Sequence, residues 1–270
     1  MPRRAFDLEA RSFDLAFGAI TIACVFFLLA PTVIVLLTSF TSSASLRFPP
    51  EGFSLRWYAA LADADQMQRA AWTSLKVAVL TTVISVILGT LAALAIGRSA
   101  SRFAKTLDNL FMSPLLLPAL AFGFAALITF NLIGWTSSLT TLVIGHVVVC
   151  VPFVLRTTIA SLSQLDPALI DASASLGASG AYTFRRVILP NIGKGIAAGA
   201  FLAFMSSFDN VPVSLFLSDA RTEVLPLHLW EIIETNLDVR TAAASSLLIL
   251  MTLLLMVLAE RFAGLTKQLH

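Results

Sequence analysis

Charge is what this sequence lacks most. Asp, Glu, Lys and Arg together make up 13% of its 270 residues, where an ordinary soluble domain carries roughly 25%. Hydrophobic residues take 57%, with 20 phenylalanines among them, and the mean hydropathy is +0.87. This balance excludes a soluble globular protein and a disordered chain alike. The net charge is only +2 and no basic or acidic run occurs, so there is no electrostatic footprint for nucleic acid. Cysteine is nearly absent as well. Cys24 and Cys150 are the only two, far apart and without the spacing of a metal or redox centre, and both read as small core hydrophobes. GxxxxGK[ST], GxSxG and HExxH are missing. The chain therefore has no cradle for nucleotide phosphates, and no catalytic or metal site is expected in it.

What the sequence does have is long apolar stretches. Six occur, at about 13–37, 73–97, 107–130, 139–161, 195–217 and 242–258, each near the roughly 20 residues that a helix needs to cross a hydrocarbon core of about 30 Å. Continuous apolarity over such lengths argues against barrel strands, which would alternate. The expectation is an all-α integral membrane protein with six transmembrane helices in a single domain spanning residues 1–270. The first stretch follows Arg3 and Arg4, but it is longer than the roughly 7–15-residue core of a cleavable signal and contains Pro31. It is expected to remain as the first helix.

The few cations set an orientation. Placing the N-terminus inside puts eleven of the 18 Lys and Arg residues on the cytoplasmic side: Arg3, Arg4, Arg11, Arg98, Arg102, Lys105, Arg185, Arg186, Lys194, Arg261 and Lys267. Five fall outside: Arg47, Arg56, Arg69, Arg221 and Arg240. Lys76 and Arg156 sit just within span ends, from where long side chains snorkel to the interface. Both termini are thus expected in the cytoplasm. The outer loops, with Glu51, Asp63, Asp65, Asp219, Glu223, Glu231, Glu234 and Asp238, are left net negative.

One cytoplasmic loop, residues 162–194, is too long to be structureless. Asp166-Pro167 reads as an N-cap followed by proline at the first helical position, and Gly177 is placed to stop that helix. A second short helix, about Ala181–Val187, is expected to end before Pro190. Such a helix–turn–helix finger fits a partner's groove; a lipid-surface amphipathic segment is the alternative.

Asp171-Ala172-Ser173, Gly177, Val187, Leu189 and Pro190 resemble the EAA loop of importer-type ABC permeases: Glu-Ala-Ala, three residues, Gly, nine residues, Ile, one residue, Leu-Pro. Every interval matches, with Asp for Glu, Ser for the second Ala and Val for Ile. The likeness extends to Phe53-Ser54-Leu55-Arg56-Trp57-Tyr58 and Leu61, to Ser74-Leu75 with Gly89, Ala92, Ala93 and Arg98, and to Pro114 and Pro118. Ser207-Phe208-Asp209-Asn210-Val211-Pro212-Val213-Ser214 and Glu223-Val224-Leu225-Pro226-Leu227 resemble the second permease subunit of the polyamine (spermidine/putrescine) branch. The resemblance implies a type I ABC importer permease fold with cytoplasmic coupling helices, in a bacterial inner membrane. It implies four kinds of company: a second homologous permease, two ATP-binding subunits that hold ATP and Mg, an external binding protein, and membrane lipid. Asp171, Ala172, Ser173, Gly177, Val187, Leu189 and Pro190 would couple to the ATPase, with stiffness supplied by two short helices and the Leu189-Pro190 stop.

Asp209 is the intramembrane charge that most needs explaining, since a carboxylate at that depth costs on the order of 3 kcal/mol. Ser206, Asn210 and Ser214, spaced by four, draw a polar stripe beside it, and Pro212 would free a carbonyl near Phe208. These four polar residues either line a path for a cationic or amine-bearing solute, or Asp209 caps a kink or bonds a neighbouring helix. His146 reads as a helix-to-helix hydrogen-bonder before a proton relay. Gly195, Gly199 and Ala203 read as close helix packing. Phe122, Phe124, Phe130 and Phe216 face either the path or lipid. Leu225, Leu229, Ile232 and Ile233 have the spacing of a surface helix at the outer mouth. Ferric iron, aminophosphonates and opines are alternative cargoes. An ion-coupled secondary transporter would leave the finger unexplained, and for a membrane-embedded enzyme His146 lacks a nucleophile in a suitable motif.

Overall fold

The computed structural model describes residues 3–99, 101–235 and 238–263, with side chains described from residue 13 to residue 261. Lys267 and the side chains of Arg3, Arg4 and Arg11, which entered the orientation count, lie outside the described residues. Among the described residues twelve α-helices follow one another: α1 (Arg3–Ser39), α2 (Arg56–Ala62), α3 (Asp65–Ile96), α4 (Arg102–Leu116), α5 (Ala119–Leu132), α6 (Leu139–Ser163), α7 (Pro167–Ser175), α8 (Gly180–Thr183), α9 (Leu189–Phe208), α10 (Val211–Leu217), α11 (Leu225–Thr235) and α12 (Val239–Ala263). The only strand-like pairing among the described residues is an isolated bridge between Thr41 and Phe53.

Among the described residues five segments are long and apolar enough to cross a membrane: Phe13–Ser39, Asp65–Ile96, Leu139–Ser163, Gly180–Phe208 and Val239–Arg261. A sixth exists only as the pair α4 and α5, which meet at 106°. The stretch 107–130 is therefore not one straight helix. Leu117 precedes Pro118 and takes φ −84° and ψ 145°, because the proline ring pushes its predecessor out of helical geometry. The stretch 195–217 differs too. Helical structure runs from Gly180 through a π-helical turn at Phe184–Ile188 and on to Phe208, so Pro190 does not stop the second short helix. It falls in the first turn of α9, where the wide turn before it absorbs a residue that has no N–H to give. The break comes later, at Asp209 and Asn210. Pro212 then sits in the first turn of α10, where a missing N–H is no loss, and it frees no carbonyl inside a continuous helix.

The chain divides into two compact units, Asp65–Glu231 with the residues from Thr252 onward, and the residues up to Ala64 with Ile232–Met251. In the first, α3, α6 and α9 pack together. Leu142, Leu155, Val154, Cys150 and Thr158 of α6 are fully buried. Glycine lets the backbones approach: a Cβ at Gly195 would strike Ser161 and the Thr157 carbonyl, and one at Gly199 would strike Thr157 and Val154. With Ala203, also fully buried, these residues make the small-residue seam read from the sequence. In the second unit the Tyr58 hydroxyl lies 2.7 Å from Ser39 Oγ and 2.6 Å from Ser246 Oγ, which ties α1, α2 and α12 at one point. Cys24, read as a core residue, is exposed on α1, whose apolar window buries no residue within the chain. Cys150 is buried as expected.

Candidate functional site

The finger begins as its sequence dictates. Asp166 Oδ1 accepts from Ala168 N at 2.9 Å, with Pro167 opening α7. After Ser175 the chain turns through Leu176 to Gly177, whose φ of +76° suits a residue without a Cβ. Gly177 N donates to Ala174 O at 2.9 Å and Ala178 N to Ser173 O at 3.1 Å. Ser179 then caps α8 by accepting from Tyr182 N. One contact was hidden in the sequence: the Ser173 and Thr183 hydroxyls, both buried, lie 2.8 Å apart and lock α7 to α8. The foot is apolar, with Leu162, Leu165 and Ile192 packed against Ile170, Ile188, Ile196 and Leu94. Arg98 reaches from the end of α3 to the Leu162 and Leu165 carbonyls at 3.5 Å, where a cation complements the end of α6.

The two halves of the motif meet, since α7 packs on α8 and on the π-helical turn. Asp171, Ala172 and Gly177 are exposed, Ser173 is buried, Val187 is half-buried, and Leu189 and Pro190 are exposed. Beside them Leu169, Tyr182 and above all Leu176, 88% exposed, present apolar side chains outward.

The second constellation is the joint between α9 and α10. Asp209 ends α9 and is exposed, and its carboxylate makes no hydrogen bond or ion pair among the described residues. Asn210 Oδ1 accepts from Val213 N at 2.9 Å and so caps α10. The cap of the joint is Asn210, not Asp209. Ser206 is half-buried on α9, whereas Ser214 of α10 is fully buried. The joint dissolves the expected stripe, because residues four apart share a face only along one helix. Ser214 turns instead to His146 of α6, whose Nε2 is 3.1 Å from Ser214 Oγ and whose Nδ1 is 2.8 Å from Ser207 Oγ. His146 is therefore the helix-to-helix hydrogen-bonder expected of it, and it holds two helices at once. Around it Gly145 faces Leu217 and Gly123 faces the Pro212 carbonyl, each too close for a Cβ. Phe124 pairs with Phe216 at 5.7 Å, and Phe130 stacks on Trp135 at 6.0 Å.

Other polar residues have partners that the sequence did not announce. Arg156 is not a lone snorkelling cation: its Nη2 lies 3.1 Å from Asp108 Oδ2 and its Nε 3.0 Å from Met112 Sδ, which joins α6 to α4. Lys76 stands over the Trp72 ring at 5.6 Å. Ser74 Oγ accepts from Leu225 N at 2.8 Å and fastens the start of α11 to α3. The expected helix there runs Leu225–Thr235, with Leu225 and Leu229 buried. His228 Nδ1 meets Glu223 Oε1 at 3.1 Å, and with Glu231 their donor atoms lie within 4.8 Å of one another. A cavity of about 440 Å³ opens beside them, lined by Gln66, Arg69, Thr73, Arg221 and Glu223. In the turn before it, the Thr222 hydroxyl bound to Asp219 holds that carboxyl below its usual range.

One signal could have placed the joint. Asn210-Val211-Pro212 has an N-cap residue with proline two positions on, the signature of a helix start. No local signal reveals that His146 serves both serines, since they lie 61 and 68 residues away.

The model of the family described as binding-protein-dependent transport system inner membrane component matches residues 85–268. Among curated proteins, the spermidine/putrescine transport system permease protein PotC of Escherichia coli (strain K12) is 29% identical over 248 residues, covering 91% of this chain and 93% of that protein. The putrescine transport system permease protein PotI of the same strain is 30% identical over 231 residues, covering 83% and 82%. Among solved structures, a chain of a bacterial ABC transporter involved in the import of the acidic polysaccharide alginate superposes with a TM-score of 0.76 over 98% of this chain and 99% of that one. At 16% identity this last likeness shows the fold alone. The chain belongs to the binding-protein-dependent transport system inner membrane component family: it is a multi-pass inner-membrane permease of an ABC importer, and not itself the ATPase.

Proposed function

We propose that this permease forms half of an inward path for a polyamine or another small organic cation, and that the joint between α9 and α10 lines it. The observation that carries the reading is the carboxylate of Asp209, exposed and without a partner among the described residues, in a chain whose relatives are named for spermidine and putrescine transport. A carboxylate held at the end of an apolar helix, with the capping work done by Asn210, is free to meet a cation. Ser206, half-buried on α9, and Asn210 are assigned to the path with it, and Ser214 acts from behind, through His146.

Coupling is assigned to Asp171, Ala172, Ser173, Gly177, Val187, Leu189 and Pro190. A rigid shift of an ATP-binding subunit becomes a helix tilt only if the finger does not absorb it. The Ser173–Thr183 contact, the apolar foot and the unbroken run from Gly180 into α9 supply that stiffness. The exposed Leu169, Leu176 and Tyr182 suit a groove on that subunit. The working assembly is this chain, a second homologous permease, two ATP-binding subunits and an external binding protein, with both termini and the finger in the cytoplasm. The cavity lined by Arg69, Arg221 and Glu223 is assigned to contact with the binding protein.

The test is ATP-driven uptake of labelled putrescine and spermidine into proteoliposomes holding the complex and its binding protein. Uptake of either amine supports the proposal. A binding protein that retains ferric iron, an aminophosphonate or an opine, with no amine uptake, overturns the cargo.

A further inference from the structure

The buried polar knot at the α9–α10 joint has a geometry that mere helix packing does not require. Ser207 precedes the break and Ser214 follows it, and both hydroxyls reach the same ring from opposite sides, Ser207 at Nδ1 and Ser214 at Nε2. All three side chains are buried, with exposures of 1% for His146, 3% for Ser207 and 0% for Ser214. One neutral imidazole offers one donor and one acceptor, and a serine hydroxyl serves as either, so the ring satisfies both serines and both satisfy the ring. Neither helix could rotate about the break without leaving a buried nitrogen or hydroxyl unpaired, which is costly. Around this knot the contacts are tight, because a Cβ at Gly145 would collide with Leu217 and one at Gly123 with the Pro212 carbonyl and Phe216. α10 is thus braced on α6 and α5, while α9 is braced on α6 along its glycine seam.

We propose that His146 is a positioning residue for transport: by holding Ser207 and Ser214 together it fixes the angle at the Asp209–Asn210 joint, and with it the direction in which the Asp209 carboxylate is presented to solute. The proposal rests on the reading of Asp209 as path-lining, and its test separates the two. The brace is doubled in kind, since the ring spans the break as a strut while Asn210 closes it from the other side by capping α10. Replacing the ring should therefore move the joint without unravelling either helix. An asparagine amide takes the place of Nδ1 and keeps only the Ser207 bond, and a glutamine amide reaches the place of Nε2 and keeps only the Ser214 bond.

The experiment uses the assembled complex in proteoliposomes, with Asp209→Cys in a chain that also carries Cys24→Ala and Cys150→Ala. The rate of maleimide labelling reads the joint directly. Putrescine uptake by His146 variants that retain Asp209 reads its consequence, and basal ATPase activity reads assembly. We expect His146→Ala to change the labelling rate by about five-fold or more and to raise KM for putrescine by about three-fold or more, with basal ATPase activity within about two-fold. His146→Asn and His146→Gln should fall between, and the pair Ser207→Ala with Ser214→Ala should reproduce His146→Ala. If His146→Ala does not assemble, the Asn, Gln and paired serine variants decide in its place. Labelling and KM both within about two-fold of the parent overturn the proposal. If Asp209→Asn itself transports normally, the path reading has failed, and the labelling rate alone then decides whether His146 sets the joint.

Discussion

The finger and the α9–α10 joint are both turns between helices, yet they are held in opposite ways. Above its apolar foot, the finger's turns are made by neighbours in sequence: Asp166 caps its first helix, Ser179 its second, and Ser173 meets Thr183 ten residues on. The joint is built from a distance, by a histidine on another helix that reaches across the break to both sides. The finger exposes its tip and buries its foot, so it can be pushed as a body. The joint buries its polar centre and exposes a single carboxylate, so it can hold a charge in place. In the proposed reading force enters at the first and a solute is met at the second; α9 runs between them without interruption.

The largest disruption should come from the seam on which that helix rests. Gly195→Leu would drive a side chain into Ser161 and the Thr157 carbonyl, and overpacking against backbone costs about 1–3 kcal/mol or more. The recovered complex should drop about ten-fold in detergent, with both functions lost together. Full recovery would show that finger and joint do not depend on this contact.

A smaller and more selective break lies at the finger tip. Gly177 has open space around it but a positive φ, so Gly177→Trp adds bulk where a partner would sit, and strain of about 1–2 kcal/mol. Transport should fall about ten-fold while ATP hydrolysis and complex yield persist. Wild-type coupling in this variant would count against the finger as the transmitter.

The smallest effect belongs to the hydroxyl lock. Ser173→Ala leaves Thr183 buried without a partner and should cost about 1 kcal/mol, seen as a two-fold to five-fold loss of transport per ATP. Adding Thr183→Val removes the stranded hydroxyl and should recover part of that loss. A second change that deepens the defect would show that the lock is not what the serine provides.

The same contrast explains what could be read from the sequence. Apolar runs located most of the long helices because lipid leaves an apolar chain few alternatives, and Asp166-Pro167 with Gly177 located α7 because caps and stops are local chemistry. The bend at Leu117-Pro118 and the joint at Asn210-Val211-Pro212 carry signals of the same local kind. They are obscured because apolarity continues across both, so composition alone draws one helix where the backbone makes two. Pro190 misled in the other direction. A proline ends a helix only if nothing accommodates it, and a π-helical turn just before it does so here. Long-range partners such as Asp108 with Arg156 and Ser74 with Leu225 N leave no trace in spacing, because they depend on which helix faces become neighbours.

The most direct test of the division of labour is the coupling ratio, solute moved per ATP hydrolysed, measured in proteoliposomes for Asp209→Asn beside Gly177→Trp. Asp209→Asn should raise KM for the amine by about ten-fold while the ratio at saturating solute stays near the parent value, and Gly177→Trp should leave KM unchanged and collapse the ratio. If Asp209→Asn transports normally, or if both variants lower the ratio alike, the joint does not meet the solute and the finger does not separately transmit the force.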